Sequence, residues 1–374
     1  MTLISVFITF IYLLLIGSLV YGFGKTKVFK LQNTPAKTKF SVVIPFRNEA
    51  ENLPKLLKSI EALKYPKHLI EIIFVDDASE DDSFEIIKKT LDTSQTDFSI
   101  LLNKRKTNSP KKDAITLAIN HAKYEWIITT DADCIVPKYW LDSFDEYIQK
   151  TNAICIAAPV TYTNKNTFLH RFQLLDILSL QGATIGGFGI KNPFLCNGAN
   201  FAYKKDLFIE LNGFDGNTNI ASGDDIFILE KIAKTHVNQL HYLKCEQAIV
   251  ATVPQPNWPE LISQRIRWAA KTSAYNNWFG KFTGGVVLLM NGLILSSLLL
   301  AFFGAFNFKS WFYILIIKFN IDFYLIYKSS LFFNQKGALR TFILGFIIYP
   351  FFSIYVAFIS VFTSYKWKGR DFKK

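Results

Sequence analysis

Several short stretches carry residues whose types and spacing suit work on a charged, oxygen-rich substrate. Asp76 and Asp77 follow the apolar run EIIFV, and Asp131 and Asp133 follow WIITT. In an extended or turning segment the first and third residues project to one side, so Asp131 and Asp133 can reach one hard cation. Four carboxylates converging on a cleft repel one another unless a cation or a donor network lies among them. Oxygen-only ligation suits magnesium or manganese. The four cysteines lack any CxxC spacing and the five histidines form no HxxxH pair, which disfavours zinc, iron and a disulfide framework. Asp after a strand is also ordinary turn and cap chemistry, and it is the second pair at a second strand end that weighs toward a site.

Further along, Asn197 to Asn200 (NGAN) reads as a turn. Ser222 to Asp225 (SGDD) opens a predicted helix from Ile226 to Ala233, where Asp224 and Asp225 suit a helix cap as well as a proton acceptor. Gln264, Arg267 and Trp268 belong to QRIRW, inside a basic, aromatic helix predicted from Pro259. That composition fits headgroup level at a membrane, and Arg267 beside Trp268 also fits a diphosphate or a stacked ring.

The elements that must hold these residues alternate. Phe40 to Pro45, Glu71 to Val75, Ser99 to Leu102 and Trp126 to Thr130 read as buried strands. Ala50 to Leu63, Asp82 to Leu91 and Asp113 to Ala122 read as helices between them. The alternation predicts an α/β fold with a parallel sheet and ligands at the carboxyl ends of its strands, which brings both acidic pairs to one edge.

The 374 residues are half hydrophobic, with 19% charged residues and mean hydropathy +0.19. That is too apolar for an ordinary soluble domain, and 36 Phe, 16 Tyr and 7 Trp exclude disorder. Met1 to Phe23 is uncharged and is followed by Lys25, Lys27 and Lys30, which predicts an uncleaved anchor with the chain cytoplasmic from Lys25. Phe282 to Phe308 and Thr341 to Tyr365 are uncharged and long enough to cross. Ser310 to Tyr327 carries Lys318 and Asp322 four residues apart and either spans or lies at the interface. If all three cross, the basic tail falls outside, against the positive-inside tendency; if the middle one does not, it falls inside. Gly182 to Gly189 reads as a mobile acceptor loop or a membrane-facing turn. A net charge of +12 suits nucleic acid, an anionic membrane face or a phosphorylated substrate. Nucleic acid fares worst, because the basic residues flank apolar segments and no recognition motif is present.

Taken together, VVIPFRNEAENL from Val42, FVDDAS from Phe74, TTDADC from Thr129, NGAN from Asn197, SGDD from Ser222 and QRIRW from Gln264 resemble the membrane-bound family 2 glycosyltransferases. The order and spacing match from about Phe40 to Trp268. The closing Trp367-Lys368-Gly369-Arg370 is similar to a tail motif of many such enzymes and favours a cytoplasmic tail.

The resemblance implies a GT-A, Rossmann-like nucleotide-sugar-binding domain with one N-terminal and two or three C-terminal transmembrane helices. It divides the chain into an anchor (1–23), a cytoplasmic catalytic domain (24–255), an interfacial segment with QRIRW (256–281), a membrane region (282–365) and a basic tail (366–374). The implied activity is inverting transfer of a sugar, from a UDP-sugar as the expected donor, to a hydroxyl of a lipid or membrane-associated glycan, at a bacterial inner membrane in envelope glycolipid synthesis. Pro45, Asn48 and Glu49 would line the nucleotide, Asp77 with Asp76 beside it would contact base or ribose, and Lys111 and Lys112 would lie nearby. Asp133, with Asp131, would hold Mg2+ or Mn2+ on the diphosphate. Asp225 matches the family's base. Gln264, Arg267 and Trp268 would face the acceptor and the leaving diphosphate. Two departures stand out: Asp224 replaces the family's Glu, one methylene shorter, and the Gly that often precedes the lysine is missing before Lys111. A processive polysaccharide synthase subunit and an inactive nucleotide-binding regulator are the rival readings.

Overall fold

A computed structural model of the chain describes residues 2–91, 96–163, 166–271, 274–363, 365–367 and 370–372. Helix α1 (Thr2–Lys25) has no charge before its last residue and leads through a basic linker to β1 (Phe40–Phe46). The linker is pinned: Gln32 and Thr34 donate backbone N–H bonds to Glu146 at 2.8 and 2.9 Å, and Thr38 donates to Asp145 at 2.9 Å.

Helices and strands then alternate as α2 (Leu53–Glu61), β2 (Ile70–Asp76), α3 (Ser83–Leu91), β3 (Asp97–Leu102), α4 (Pro110–His121) and β4 (Trp126–Thr129). β1 pairs in parallel with β2 on one side and β4 on the other, and β3 lies outside β2. The near-continuous apolar runs of β1, β2 and β4 are those of strands covered on both faces. The order β3-β2-β1-β4 changes its direction of growth beside β1, and that is where an α/β sheet opens a crevice at its carboxyl edge.

The second half departs from the simple alternation. β5 (Cys134–Ile135), α5 (Trp140–Lys150), β6 (Cys155–Ala157), β7 (Val160–Tyr162), α6 (Phe168–Gly189), β8 (Phe201–Lys204), α7 (Lys205–Glu210), α8 (Asp224–Thr235), β9 (Leu240–Tyr242) and β10 (Val250–Thr252) follow in order. The main sheet continues β8-β6-β9, with β8 antiparallel to both β4 and β6, and β5-β10-β7 form a small second sheet. Strands of three and four residues carry too little period-2 pattern to be legible beforehand.

After α9 (Trp258–Ala270) come α10 (Trp278–Phe302), α11 (Phe308–Phe332) and α12 (Phe342–Phe362), then a two-stranded antiparallel hairpin of β11 (Tyr365–Trp367) and β12 (Arg370–Phe372). Among the described residues four helices, within 3–25, 278–302, 308–332 and 336–362, are long and apolar enough to cross a membrane. The ambiguous stretch 310–327 is the middle of the 25-residue α11, and Lys318 and Asp322 pair at 2.5 Å with the Tyr12 hydroxyl of α1 donating to the same carboxylate.

The expected loop or turn at Gly182 to Gly189 is instead the end of α6, which packs against α1. Its glycines answer to close approach: a Cβ at Gly186 would overlap the Leu19 carbonyl, and one at Gly189 would overlap that of Gly22. Gly186→Val therefore has to push two backbones apart, at about 1–3 kcal/mol or more. Gly17 has open space around it, and Gly17→Ala leaves the contact intact. Thermal unfolding in detergent should show a clear loss for the first variant and none for the second.

Candidate functional site

The carboxyl ends of β1 and β2 are clamped into two facing turns. Asn48 and Ala78 take φ values of 50° and 59°, a left-handed region costly for a non-glycine residue, and their loops hold each other there. Asn48 Oδ1 accepts from the Glu80 N–H at 2.8 Å, and Asn48 N–H donates to Ser79 Oγ at 3.2 Å. Glu49 donates its N–H to Ser83 Oγ at 2.7 Å. Asp76 turns inward and accepts from the Ser79 N–H at 2.9 Å and its hydroxyl at 2.6 Å. It shapes the turn and does not line the cavity, whereas Pro45, Glu49 and Asp77 do.

Asp77 is almost buried and heavily coordinated. Its Oδ1 accepts from Asn103 Nδ2 at 2.8 Å and Arg105 Nε at 3.0 Å, and its Oδ2 from Arg370 Nη1 at 2.5 Å. Its carbonyl accepts from Arg47 Nη1 at 2.9 Å and Arg370 Nη2 at 3.0 Å. Asn103 and Arg105 were not among the sequence candidates, although the signal existed: polar residues directly after a strand of the same sheet.

Across the crevice, the end of β4 and the start of α8 meet over one ammonium. Lys111 Nζ lies 2.7 Å from Asp131 Oδ1 and 3.3 Å from Asp224 Oδ2. Burial works against its charge, yet Asp131 and Asp224 together hold the Lys111 pKa above its ordinary value. Burial would likewise raise Asp224, but Lys111 first, then Lys271 and Lys112, keep it below the usual carboxylate range. Asp225, one residue on, accepts from the Gly198 N–H at 3.0 Å. The NGAN turn is thus the cradle of Asp225. Beneath it, the fully buried Asn200 donates to the carbonyls of Pro159 and Ala248, each at 2.8 Å, and accepts from Trp140 Nε1 at 2.9 Å.

Lys112, expected near the nucleotide, does not line the cavity; its Nζ donates to the carbonyls of Asn217 and Ile220 at 2.7 and 2.8 Å, tying down the loop before α8. Burial pushes its pKa down to about 8.

Gln264, Arg267 and Trp268 of α9 form a third wall. The other arginine of QRIRW, Arg265, is buried against Asp176 at 2.7 Å and fixes α9 to α6. All three walls face one cavity of about 1580 Å³, which also contains Lys111, Asp131, Asp133, Asp224 and Asp225. It does not end at the sheet. It continues between the apolar helices, past Leu19, Ile326, Phe346 and Val356.

Among the described residues no three His, Cys, Asp or Glu side chains form a ready metal cage. Asp131, already paired with Lys111, and Asp133 both line the cavity and offer carboxylate oxygens of the kind a hard cation would take.

The family model described as Glycosyl transferase family 2 matches residues 41–211. The chain is 40% identical over 102 residues to an undecaprenyl-phosphate 4-deoxy-4-formamido-L-arabinose transferase of Pseudomonas savastanoi pv. phaseolicola, covering 26% of this chain and 29% of that protein. It is 25% identical to glycosyltransferase AglE of Haloferax volcanii, over 50% of this chain and 58% of that one. It is 28% identical to a poly-beta-1,6-N-acetyl-D-glucosamine synthase of Staphylococcus epidermidis, over 45% and 41%. The chain thus spans less than two thirds of each of these relatives. A mannosyltransferase from Pyrobaculum calidifontis, solved with GDP-Man and Mn2+, shares the fold at a TM-score of 0.55 and 16% identity, covering 90% of this chain and 99% of that one.

Replacing Lys111 by Met strips Asp224 of its nearest cation. Because the folded-state pKa of Asp224 lies below its unfolded value of about 3.9, Asp224 stabilises the fold above that pH and the contribution is lost as pH falls through the folded value. Breaking such a buried pair costs about 3–5 kcal/mol. Denaturant melts should therefore separate Lys111→Met from the wild type widely at pH 7, with the gap closing fully only below about pH 4, as pH falls through the lowered pKa of Asp224.

Proposed function

The chain carries a glycosyl transferase family 2 domain over residues 41–211, and from that premise we propose that the protein transfers a sugar from a nucleotide sugar, a UDP-sugar first, to a hydroxyl of a lipid or lipid-linked glycan with inversion. One observation carries the lipid part: the cavity holding Asp77, Asp131 and Asp225 runs without interruption between the apolar helices. A polar polymer gains little from walls such as Leu19, Phe346 and Val356, whereas a hydrocarbon chain is favoured by about 25 cal/mol per Å² buried. The setting we infer is a bacterial inner membrane with the domain on the cytoplasmic face.

The division of labour follows from charge. As the anomeric bond breaks, negative charge grows on the departing diphosphate. Lys111 and Arg267 face it from two walls of a recessed site, where each charge acts more strongly than in water. Asp131 and Asp133 would hold a magnesium or manganese ion, which when bound supplies further neutralisation of the diphosphate. Asp225, oriented by the Gly198 N–H, takes the proton of the attacking hydroxyl. Asp224, kept ionised by Lys111, holds that ammonium in place. Pro45, Glu49 and Asp77 line the nucleoside end. Gln264 and Trp268 face the acceptor. A single displacement asks for no enzyme nucleophile.

The test is release of nucleoside diphosphate by purified protein in detergent with polyprenyl phosphates or extracted lipids, across a panel of nucleotide sugars. Turnover with one donor, loss on chelation of divalent ions, and a fall of about 10²–10⁴-fold for Asp225→Asn are expected. Mass analysis of the lipid product distinguishes one added sugar from a growing chain. Nucleotide binding without turnover on any acceptor would point instead to a regulatory protein.

A further inference from the structure

We infer that Lys318, Asp322, Tyr12 and Tyr349 form an acceptor subsite that receives an uncharged, sugar-bearing headgroup, so that the lipid acceptor is a glycolipid and not a lipid phosphate; this rests on the lipid-acceptor reading and narrows it.

The four side chains come from three of the apolar helices and all line the cavity. Lys318 and Asp322 pair at 2.5 Å on α11, and the Tyr12 hydroxyl of α1 donates to the other Asp322 oxygen at 2.5 Å. Tyr349 of α12 lies within electrostatic reach of Asp322 and Tyr12, and of Asp176 on α6, the carboxylate that holds Arg265 at 2.7 Å. Two ion pairs and two phenols thus make one cluster in the wall of the cavity. Packing alone does not ask for it. Lys318 and Asp322 belong to the same helix, so their bond joins no two elements, and the Tyr12 hydroxyl needs only an uncharged acceptor to hold α1 to α11. Keeping an ammonium and a carboxylate among apolar helices costs desolvation, and a buried pair of this kind is often replaced by apolar residues of similar volume without loss of stability. Ionisable side chains retained in such a place mark the path of a polar substrate.

The class of ligand follows from the charges and the free hydrogen-bonding positions. Each cation of the cluster has its own carboxylate, Lys318 with Asp322 and Arg265 with Asp176, so a phosphate placed there meets repulsion along with attraction. A sugar hydroxyl, which both donates and accepts, meets neither as a net charge. Lys318 Nζ carries three protons and has Asp322 as its one hydrogen-bond partner among the described residues, which leaves donors for hydroxyl oxygens. Each Asp322 oxygen accepts one bond among those residues, from Tyr12 or from Lys318, and keeps a lone pair for a hydroxyl proton. Several complementary positions this close together call for a ligand with several hydroxyls, as a sugar has. The cluster also adjoins the reacting end of the cavity, because the Arg265 guanidinium lies 4.1 Å from the Trp268 ring. A headgroup held by Lys318 and Asp322 therefore meets the wall of Gln264 and Trp268 on one side, and leaves its hydrocarbon to Leu325 and Ile326, one turn further along α11. An earlier glycosyl transfer must then supply the acceptor's first sugar.

Mass analysis of extracted membrane lipids, after incubation with a nucleotide-sugar donor and the purified full-length protein in nanodiscs free of glycoside detergent, tests the ligand class. The lipid that gains a sugar should already carry one and bear no phosphate; a sugar added to a polyprenyl phosphate or another phosphate-bearing lipid overturns the inference. On that acceptor, Lys318→Met combined with Asp322→Leu removes the pair together and should raise acceptor KM by about 10- to 100-fold, the worth of one or two hydrogen bonds to charged groups. Donor KM and the binding of UDP or GDP should stay as in the wild type. Tyr349→Phe keeps the ring, should raise acceptor KM in the same direction, and decides the matter if the double variant does not fold; Lys318→Arg, which keeps the charge, should lie nearest the wild type. A cluster that only braces the helices would lower the melting temperature and leave acceptor KM unchanged, and that result overturns the subsite. Transfer to no lipid at all, with nucleotide still bound, overturns the lipid-acceptor reading itself and the subsite with it.

Discussion

Crowding of carboxylates at one sheet edge is the constraint to which the surrounding structure answers. β1 pairs in register with β2 and with β4, so Asp76 and Asp77 on one side and Asp131 and Asp133 on the other emerge at the same end, and α8 adds Asp224 and Asp225. Left alone, such a cluster would repel itself and protonate. Most of these carboxylates instead have a defined counterpart: Ser79 for Asp76, the Arg105 and Arg370 guanidinium groups and Asn103 for Asp77, Lys111 for Asp131 and Asp224 together, and the Gly198 N–H for Asp225.

That arrangement separates two duties. Lys111 satisfies Asp131 and Asp224 together, so two of the crowded carboxylates share one counter-charge. The buried scaffold of Asn200, Trp140 and the Pro159 and Ala248 carbonyls supports the turn behind Asp225 from below and carries no charge of its own. The acidic residues can therefore be set by rigid elements while the cavity remains open toward the apolar helices.

The membrane helices are attached to the domain through backbone proximity and a few polar clamps. Glycines on α1 and α6 let the two helices touch, Arg265 and Asp176 join α9 to α6, and Lys318, Asp322 and Tyr12 join α11 to α1. Each clamp places a charged or hydroxyl group where its neighbour satisfies it, as polar groups away from water require. The domain and its helices thus share one cavity between them.

Much of this was legible in the sequence. The parallel strands β1, β2 and β4 announce themselves as unbroken apolar runs, and the acids follow them because the chain must turn there. The motifs from Val42 to Trp268 lie in the order seen in family 2 glycosyltransferases, and most of the candidate residues line one cavity, Asn48, Asp76 and Lys112 excepted. What the tertiary structure decided are the matters of direction and distant contact. Asp76 and Lys112 sit beside cavity-lining neighbours in sequence, yet one turns to Ser79 and the other to the carbonyls of Asn217 and Ile220. The glycines after Gln181 look like a loop until α1 is seen to need their missing side chains. Arg370 carries no local sign of a partner in Asp77. A hydrophobic pattern fixes which face of an element is buried, but a side chain's partner depends on which residues distant in sequence are folded beside it, and no period along the chain encodes that.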